Sequence, residues 1–176
     1  MAELAIRTLA PDAAPRLAEI LAETVAAGGS VHFMHPTPMD EAEAYWAKAL
    51  AGAETGDRVV LGGFVGGRLE GTVSLFLDTP PNQPFRAEIW KLMVAPSARR
   101  TGLARALMVA VETLAARRGR TLLNLDTVTD GPAAKLYESL GWTLSGTIPE
   151  FAYTPHGGLT GTSIYYKRLG PTPPVG

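Results

Sequence analysis

The spacing of apolar residues alternates along the chain between a period of about 3.6 and a period of two, which predicts both helices and strands. Seven segments have the alternating or continuously apolar pattern of strands: 4–9, 58–65, 69–78, 86–94, 121–127, 142–148 and 162–169. Four segments repeat apolar residues at helical spacing, and they begin at or near Ala13, Asp40, Gly102 and Asp130. The order of these elements predicts a mixed sheet with helices on its faces.

Local signals refine the boundaries of these elements. Gly66–Gly67 is predicted to be a hairpin turn, Glu43 a capping-box partner and Asp130 a helix cap. The segment 30–38 and the segment 150–158 are predicted to be irregular loops. A strand-helix-strand unit over 86–127 implies a parallel crossover. We expect one domain over 1–169 and a disordered tail over 170–176.

The composition excludes several classes of function. The chain has 176 residues, 46% of them hydrophobic, and a formal net charge of -1, which argues against a nucleic-acid module. No apolar run is long enough to span a membrane, and the first residues do not resemble a signal peptide, so we expect a cytoplasmic protein. The absence of cysteine excludes a disulfide, a thiolate metal ligand and an acetyl-cysteine intermediate.

The segment 88–104 has the pattern of an anion site. An apolar strand leads through Pro96 into a basic loop, which ends where a helix begins near Gly102. Backbone N–H groups at a helix N-terminus have no partner in the helix, and the helix dipole adds to their attraction for anions. This predicts a site for a phosphorylated cofactor. A nucleotide-triphosphate enzyme is set aside, because no Gly-Lys-Ser/Thr loop is present.

Two motifs resemble those of the GNAT N-acetyltransferase superfamily. The segment 94–104, Val-Ala-Pro-Ser-Ala-Arg-Arg-Thr-Gly-Leu-Ala, is similar to its Val-x-Pro-x-x-Arg-Gly-x-Gly-x-Gly signature, and the residues Ala133, Leu136–Tyr137 and Gly141–Trp142 are similar to its second motif. Within the superfamily the chain resembles most the tabtoxin-resistance acetyltransferases, on the segments 29–34, 86–94, 123–127 and 162–169. The resemblance implies a mixed α/β fold with a mostly antiparallel sheet of about seven strands, helices on both faces, and acetyl-CoA as co-substrate.

The resemblance also implies which residues bind acetyl-CoA. They are Leu92, Met93, Val94, Arg99, Arg100, Thr101, Gly102, Leu103, Ala104, Arg105 and Tyr137. A bulge near the end of the strand would open a space for the pantetheine arm, and the N–H of about Met93 would polarise the thioester carbonyl. Arg100 departs from the pattern, since the family usually has glycine there. The alternative for the basic loop is an ordinary solvated turn.

Three residues are candidates for catalysis. Tyr137 could protonate the leaving thiolate as a general acid, although it could also be a packing residue. Asp126 follows a buried strand, where a desolvated carboxylate would have a raised pKa and suit a general base. Glu88 is the second candidate base. The alternatives are that Asp126 only satisfies backbone N–H groups and that Glu88 faces outward.

The resemblance places the acceptor pocket beside Ser30, His32 and Phe33, together with Glu88 and Asp126. Phe151 and Tyr153 in the loop 150–158 would close its other side. No metal site is predicted, because the three histidines lack a ligand set. The expected acceptor is a small-molecule amine, such as a toxin-like amino-acid analogue. A protein or peptide acceptor and a non-catalytic acyl-CoA sensor are the alternatives, and the resemblance also allows a homodimer.

Overall fold

A computed structural model of the protein describes residues 3–171. The strands are β1 (Leu4–Thr8), β2 (Arg58–Val65), β3 (Arg68–Phe76), β4 (Arg86–Val94), β5 (Leu122–Val128), β6 (Thr143–Tyr153) and β7 (Leu159–Arg168). The helices are α1 (Ala14–Ala26), α2 (Met39–Glu54), α3 (Leu103–Arg117) and α4 (Ala133–Ser139). Except for its first two positions, the predicted tail 170–176 lies outside the described residues.

The strands form one sheet in the order β1-β2-β3-β4-β5-β7-β6. Every neighbouring pair is antiparallel except β4 and β5, which are parallel. Alternate residues of β2 enter different cores, because successive side chains of a strand point to opposite faces. Val59 and Leu61 pack with residues of α3, whereas Val60 packs with residues of α1 and α2. The predicted mixed, mostly antiparallel fold with helices on both faces is therefore confirmed.

The last two strands are longer than predicted, and the loop expected over 150–158 was wrong. β6 continues to Tyr153 and β7 begins at Leu159, so only residues 154–158 connect them. β6 runs through Pro149, and as an edge strand it shifts register between Ile148 and Ala152. An edge strand with a bulge accommodates a proline, because the residues of the bulge are not paired in the ladder. Phe151 and Tyr153 therefore lie on a strand, with 55% and 65% of their surface exposed.

Two predicted helix caps were also wrong. α2 begins at Met39 after Pro38, and no side chain caps it, so Glu43 forms no capping box. α4 begins at Ala133 after Pro132, again without a side-chain cap. Asp130 instead has a left-handed backbone with φ of 58° and lies before the turn into the helix. In both cases a proline occupies the position where a capping side chain would be needed.

Candidate functional site

A cleft opens where β4 and β5 separate. The parallel pairing runs only from Arg86 opposite Leu122 to Glu88 opposite Asn124, and the two strands are not paired beyond that point. On the other side of β4, Lys91 and Leu92 together oppose a single residue of β3, because Trp90 pairs with Ser74 and Met93 with Thr72. This two-against-one arrangement is a β-bulge, and it bends the strand. The resulting cleft has a volume of about 200 Å³.

A turn with unpaired amides follows β4. A single 3₁₀ turn at Pro96–Ala98 leads to Arg100 and Gly102, which both have left-handed backbones, with φ of 64° and 88°. Gly102 is the residue before α3, which no side chain caps. The backbone N–H groups from Arg100 to Arg105 donate to no oxygen of the described residues. Together with the helix dipole they form a set of donors for an anion.

The arginines of this turn differ in their contacts. Arg99 and Arg100 are exposed, whereas Arg105 donates from Nη2 to the Ser139 hydroxyl over 2.7 Å and so links α3 to α4. Arg100 has the backbone conformation that glycine adopts without cost. An arginine at this position therefore carries backbone strain that a glycine would not.

Tyr137 lies on α4 and is one of the side chains that line the cleft. Only 5% of the residue is exposed, and its ring contacts those of Trp142 and Tyr165 at centroid distances of 6.0 and 5.8 Å. Burial raises the pKa of the phenol, and the charge of Asp126 raises it further. Tyr137 therefore keeps its proton at neutral pH and is available as a donor.

Asp126 lines the same cleft, but the expectation that it is desolvated was wrong. Leu123 and Leu125 are buried, and the alternation along β5 turns the Asp126 side chain to the exposed face. The Thr162 hydroxyl donates to its Oδ2 over 2.9 Å. Asp126 is thus held in place at the mouth of the cleft and stays in contact with water.

Glu88, in contrast, is bound on both oxygens. Arg86 donates from Nη1 to Oε1 over 2.5 Å, and Trp90 donates from its indole nitrogen to Oε2 over 2.9 Å. Partial burial by itself would raise the pKa of Glu88, but these hydrogen bonds and the Arg86 charge outweigh it and lower the pKa. Arg86 also donates to Asn124 on β5 over 2.7 Å. Glu88 is therefore a firmly ionised carboxylate at the point where the strands separate.

The segment 30–33 contributes to the cleft in part. Ser30 and His32 line it, whereas Phe33 packs edge-on against Tyr45 at 5.5 Å and does not. On the opposite side, Phe151 lines the cleft and Tyr153 does not.

Lys91 is a residue of the cleft that sequence reasoning did not single out. From the bulge, where its φ is 55°, its Nζ donates to the Val31 carbonyl over 2.7 Å and lies 2.9 Å from His32 Nδ1. Burial lowers the pKa of Lys91 to about 8. The sequence does contain one signal for this role, because Lys91 is a charged residue between the apolar residues Ile89 and Leu92 of the predicted strand.

The other histidines lie apart from this cleft. The rings of His35 and His156 are 4.7 Å apart, and His156 Nε2 is 3.1 Å from the Ala26 carbonyl oxygen. Within residues 3–171 no three His, Asp or Glu side chains are grouped as metal ligands. In the same part of the chain, no helix is both long and apolar enough to cross a bilayer.

Comparisons with known proteins agree with this geometry. An uncharacterised N-acetyltransferase of Azospirillum brasilense, from the hisH–hisA intergenic region, is 36% identical over 106 residues, which are 59% of this chain and 61% of the relative. The chain thus matches less than two thirds of that relative's length.

Two solved structures have the same fold. The Salmonella typhimurium protein yncA, provisionally assigned as an acetyltransferase and solved with its cofactor acetyl-CoA, has a TM-score of 0.79 at 18% identity, covering 95% of this chain and 94% of its own. A protein provisionally assigned as a phosphinothricin N-acetyltransferase has a TM-score of 0.81 at 17% identity, covering 96% and 100%. The model of the Acetyltransferase (GNAT) family matches residues 18–142. The chain therefore belongs to the GNAT acetyltransferase family.

Proposed function

We propose that the protein transfers an acetyl group from acetyl-CoA to a primary amine of a small molecule, by direct attack in a ternary complex. The observation that carries this proposal is the shared cleft of Tyr137 and Asp126, which lies between β4 and β5. A proton donor and a proton acceptor are the two groups that such a transfer needs, and here they line the same space.

The residues that follow β4 fit the phosphates of acetyl-CoA. The unpaired N–H groups from Arg100 to Arg105 would bind the pyrophosphate, with Arg99 and Arg100 adding positive charge. Leu92, Met93 and Val94 would lie along the pantetheine arm, because β4 has no partner strand on that side. Acetyl-CoA supplies an activated thioester when it is bound.

In the chemical step, the side chains of this protein would transfer protons. The amine nitrogen attacks the thioester carbonyl carbon, so that a C–N bond forms and the C–S bond breaks. Asp126, which is exposed, receives the proton that the amine loses and can pass it to water. Tyr137 gives its proton to the departing thiolate. Glu88 serves the acceptor site rather than the proton transfer, because both its oxygens are already bound.

The size of the cleft supports a small acceptor. Its volume of about 200 Å³ is below the roughly 300–1,000 Å³ of pockets for drug-sized ligands. A toxin-like amino-acid analogue, as the tabtoxin-resistance acetyltransferases take, fits this size. The phosphinothricin N-acetyltransferase assignment of one structural neighbour is consistent with such an acceptor, although the likeness concerns the fold.

The direct test is acetyl-CoA-dependent thiol release with a panel of amines. The chain has no cysteine, so the protein adds no thiol background. Release with small amines is the expected result, and release with peptides alone would favour a protein N-acetyltransferase. If acetyl-CoA binds but no acceptor in the panel releases thiol, the protein is a sensor of acyl-CoA.

The proposal extends to a cytoplasmic homodimer. β6 and β7 expose a group of large apolar side chains that a second copy would cover: Leu144, Ile148, Phe151, Tyr153, Leu159 and Tyr166. Light scattering measures the molecular mass in solution, and a monomer across the micromolar range would contradict the dimer.

A further inference from the structure

The Lys91 ammonium lies in the cleft and forms no ion pair with a carboxylate of the described residues. Its two hydrogen-bond partners, the Val31 carbonyl and His32 Nδ1, are neutral groups. The rings of Phe33 and Tyr45 lie 5.9 and 5.3 Å from its Nζ and restrict its access to water. Among residues 3–171 no carboxylate forms an ion pair with Lys91, and Asp126 attracts its charge only from beyond ion-pair distance. The charge is therefore only partly compensated within the protein.

Lys91 and His32 each have a donor left over. An ammonium has three protons, and two of them are directed to Val31 and His32. Because His32 Nδ1 accepts from Lys91, the proton of the neutral imidazole is on Nε2, and no described residue accepts it. Partial desolvation and the Lys91 charge lower the pKa of His32 against the opposing effect of Asp126, so the imidazole is neutral at physiological pH. Both side chains line the cleft.

Both residues are held in this arrangement by an unusual backbone. Lys91 and His32 have φ of 55° and 70°, and such conformations cost energy in residues other than glycine. Lys91 is the bulged residue of β4, so the bulge directs the ammonium toward the segment 30–33. The two donors are thus fixed in position before any ligand arrives.

We propose that Lys91 and His32 form a carboxylate-binding site, so that the acceptor is an amino acid or another small molecule with both an amine and a carboxylate. This inference rests on the proposed function and names its substrate class. The carboxylate would accept one hydrogen bond from Lys91 Nζ and one from His32 Nε2. The amine would then point toward Asp126, which lines the same cleft. A zwitterion matches this order of charges, with its anion at Lys91 and its cation at Asp126.

The test compares amino acids with their primary amides, which keep the amine and the size but lose the negative charge. A charge-assisted hydrogen bond contributes about 1.5–3 kcal/mol, so we expect kcat/KM of the preferred amino acid to exceed that of its amide by at least about tenfold. Equal kcat/KM values for every pair that turns over would overturn the proposal.

Variants assign the preference to Lys91. In Lys91→Met the preference for the carboxylate should disappear, whereas in Lys91→Arg it should be retained in part. Lys48→Met is the matched control, because Lys48 is exposed on α2 and lies outside the cleft. A preference that survives unchanged in folded Lys91→Met overturns the assignment. If that variant does not fold, as judged by circular dichroism, the amino acid and amide pairs with the wild-type protein still decide the matter.

Binding measurements separate this proposal from the proposed function. Calorimetry in the presence of CoA measures the affinity of the wild-type protein for the same amino acids and amides without any turnover. If no amine releases thiol but the amino acids bind at least about tenfold more tightly than their amides, the acetyl transfer fails and the carboxylate site stands. If the members of every pair bind equally or fail to bind, the carboxylate site is overturned.

Discussion

Arg86 donates from Nη1 to Oε1 of Glu88 over 2.5 Å at the last position where β4 pairs with β5. Asp126, two residues beyond the end of this pairing on β5, forms no ion pair with a described residue and accepts a hydrogen bond from the Thr162 hydroxyl. The two candidate bases are therefore unequal, because the pKa of Glu88 is lowered by its hydrogen bonds. A carboxylate whose negative charge is already stabilised by hydrogen bonds and a neighbouring cation has less tendency to accept a proton.

Asp126→Asn should lower kcat/KM more than Glu88→Gln does. Loss of a general base costs on the order of 10²–10⁴ in rate, and we expect Asp126→Asn to fall within this range. Glu88→Gln keeps the shape of the side chain and should lower kcat/KM by less than about tenfold. Steady-state kinetics of the two variants decide between them. The opposite order would assign the base to Glu88.

Tyr137→Phe should lower kcat by about 10²-fold or more while the affinity for acetyl-CoA stays within about threefold, because the lost hydroxyl acts on the thiolate. Its hydroxyl makes no hydrogen bond to another described residue, so the stability should change little. Tyr165→Phe is the matched control, since this ring contacts Tyr137 and its hydroxyl reaches Glu138 instead. Unchanged turnover in Tyr137→Phe would remove the phenol from the mechanism.

Arg100→Gly and Arg100→Ala separate the backbone at this position from its charge. Both variants remove the guanidinium, but only glycine relieves the left-handed conformation, which costs roughly 1–2 kcal/mol in other residues. In urea unfolding, the free energy of unfolding of the glycine variant should therefore exceed that of the alanine variant by about 1 kcal/mol. This difference already allows for the larger conformational entropy that glycine has in the unfolded chain. A loss of acetyl-CoA affinity shared by both variants measures the contribution of the charge. Equal stability of the two would contradict the strain at Arg100.

The stability of the protein should rise with pH because of Lys91. Its pKa is lowered from 10.5 to about 8 in the folded state, so between these values the unfolded chain binds a proton that the folded protein does not. The free energy of unfolding then increases with pH. Relative to Lys91→Met, the wild-type protein should gain up to a few kcal/mol between about pH 8 and pH 10, as measured by urea unfolding at each pH. A constant difference across this range would show that Lys91 has an ordinary pKa.

Much of this fold could be predicted because its signals are local. The helical spacing of Leu103, Leu107 and Val111 corresponds to residues that are fully or almost fully buried. The hairpin turn at Gly66–Gly67 is confirmed by φ of 57° and 85°. The loop expected over 150–158 was too long, because an edge strand can continue past a proline such as Pro149 and a single sequence does not reveal the order of strands.

The site could be predicted only as far as its motifs extend. Tyr137 and the turn at 99–105 belong to recognisable patterns, so their elements were assigned correctly. The exposure of Asp126 depends on which face of β5 meets the core, and the contact of Lys91 with His32 joins residues that are 59 positions apart. Such long-range contacts follow from the packing of the sheet and are not encoded in any short segment.

The separation of β4 from β5 has a consequence for how the specificity of this cleft can change during evolution. Past Glu88, the facing main chains of the two strands can interact with a ligand that carries its own amide groups. Contacts made through peptide groups depend on the path of the chain and not on the identity of its side chains. Lys91, Asp126 and Phe151 can therefore be exchanged without dismantling the part of the cleft that the backbone forms. A new acceptor specificity is then a matter of a few substitutions on an unaltered frame.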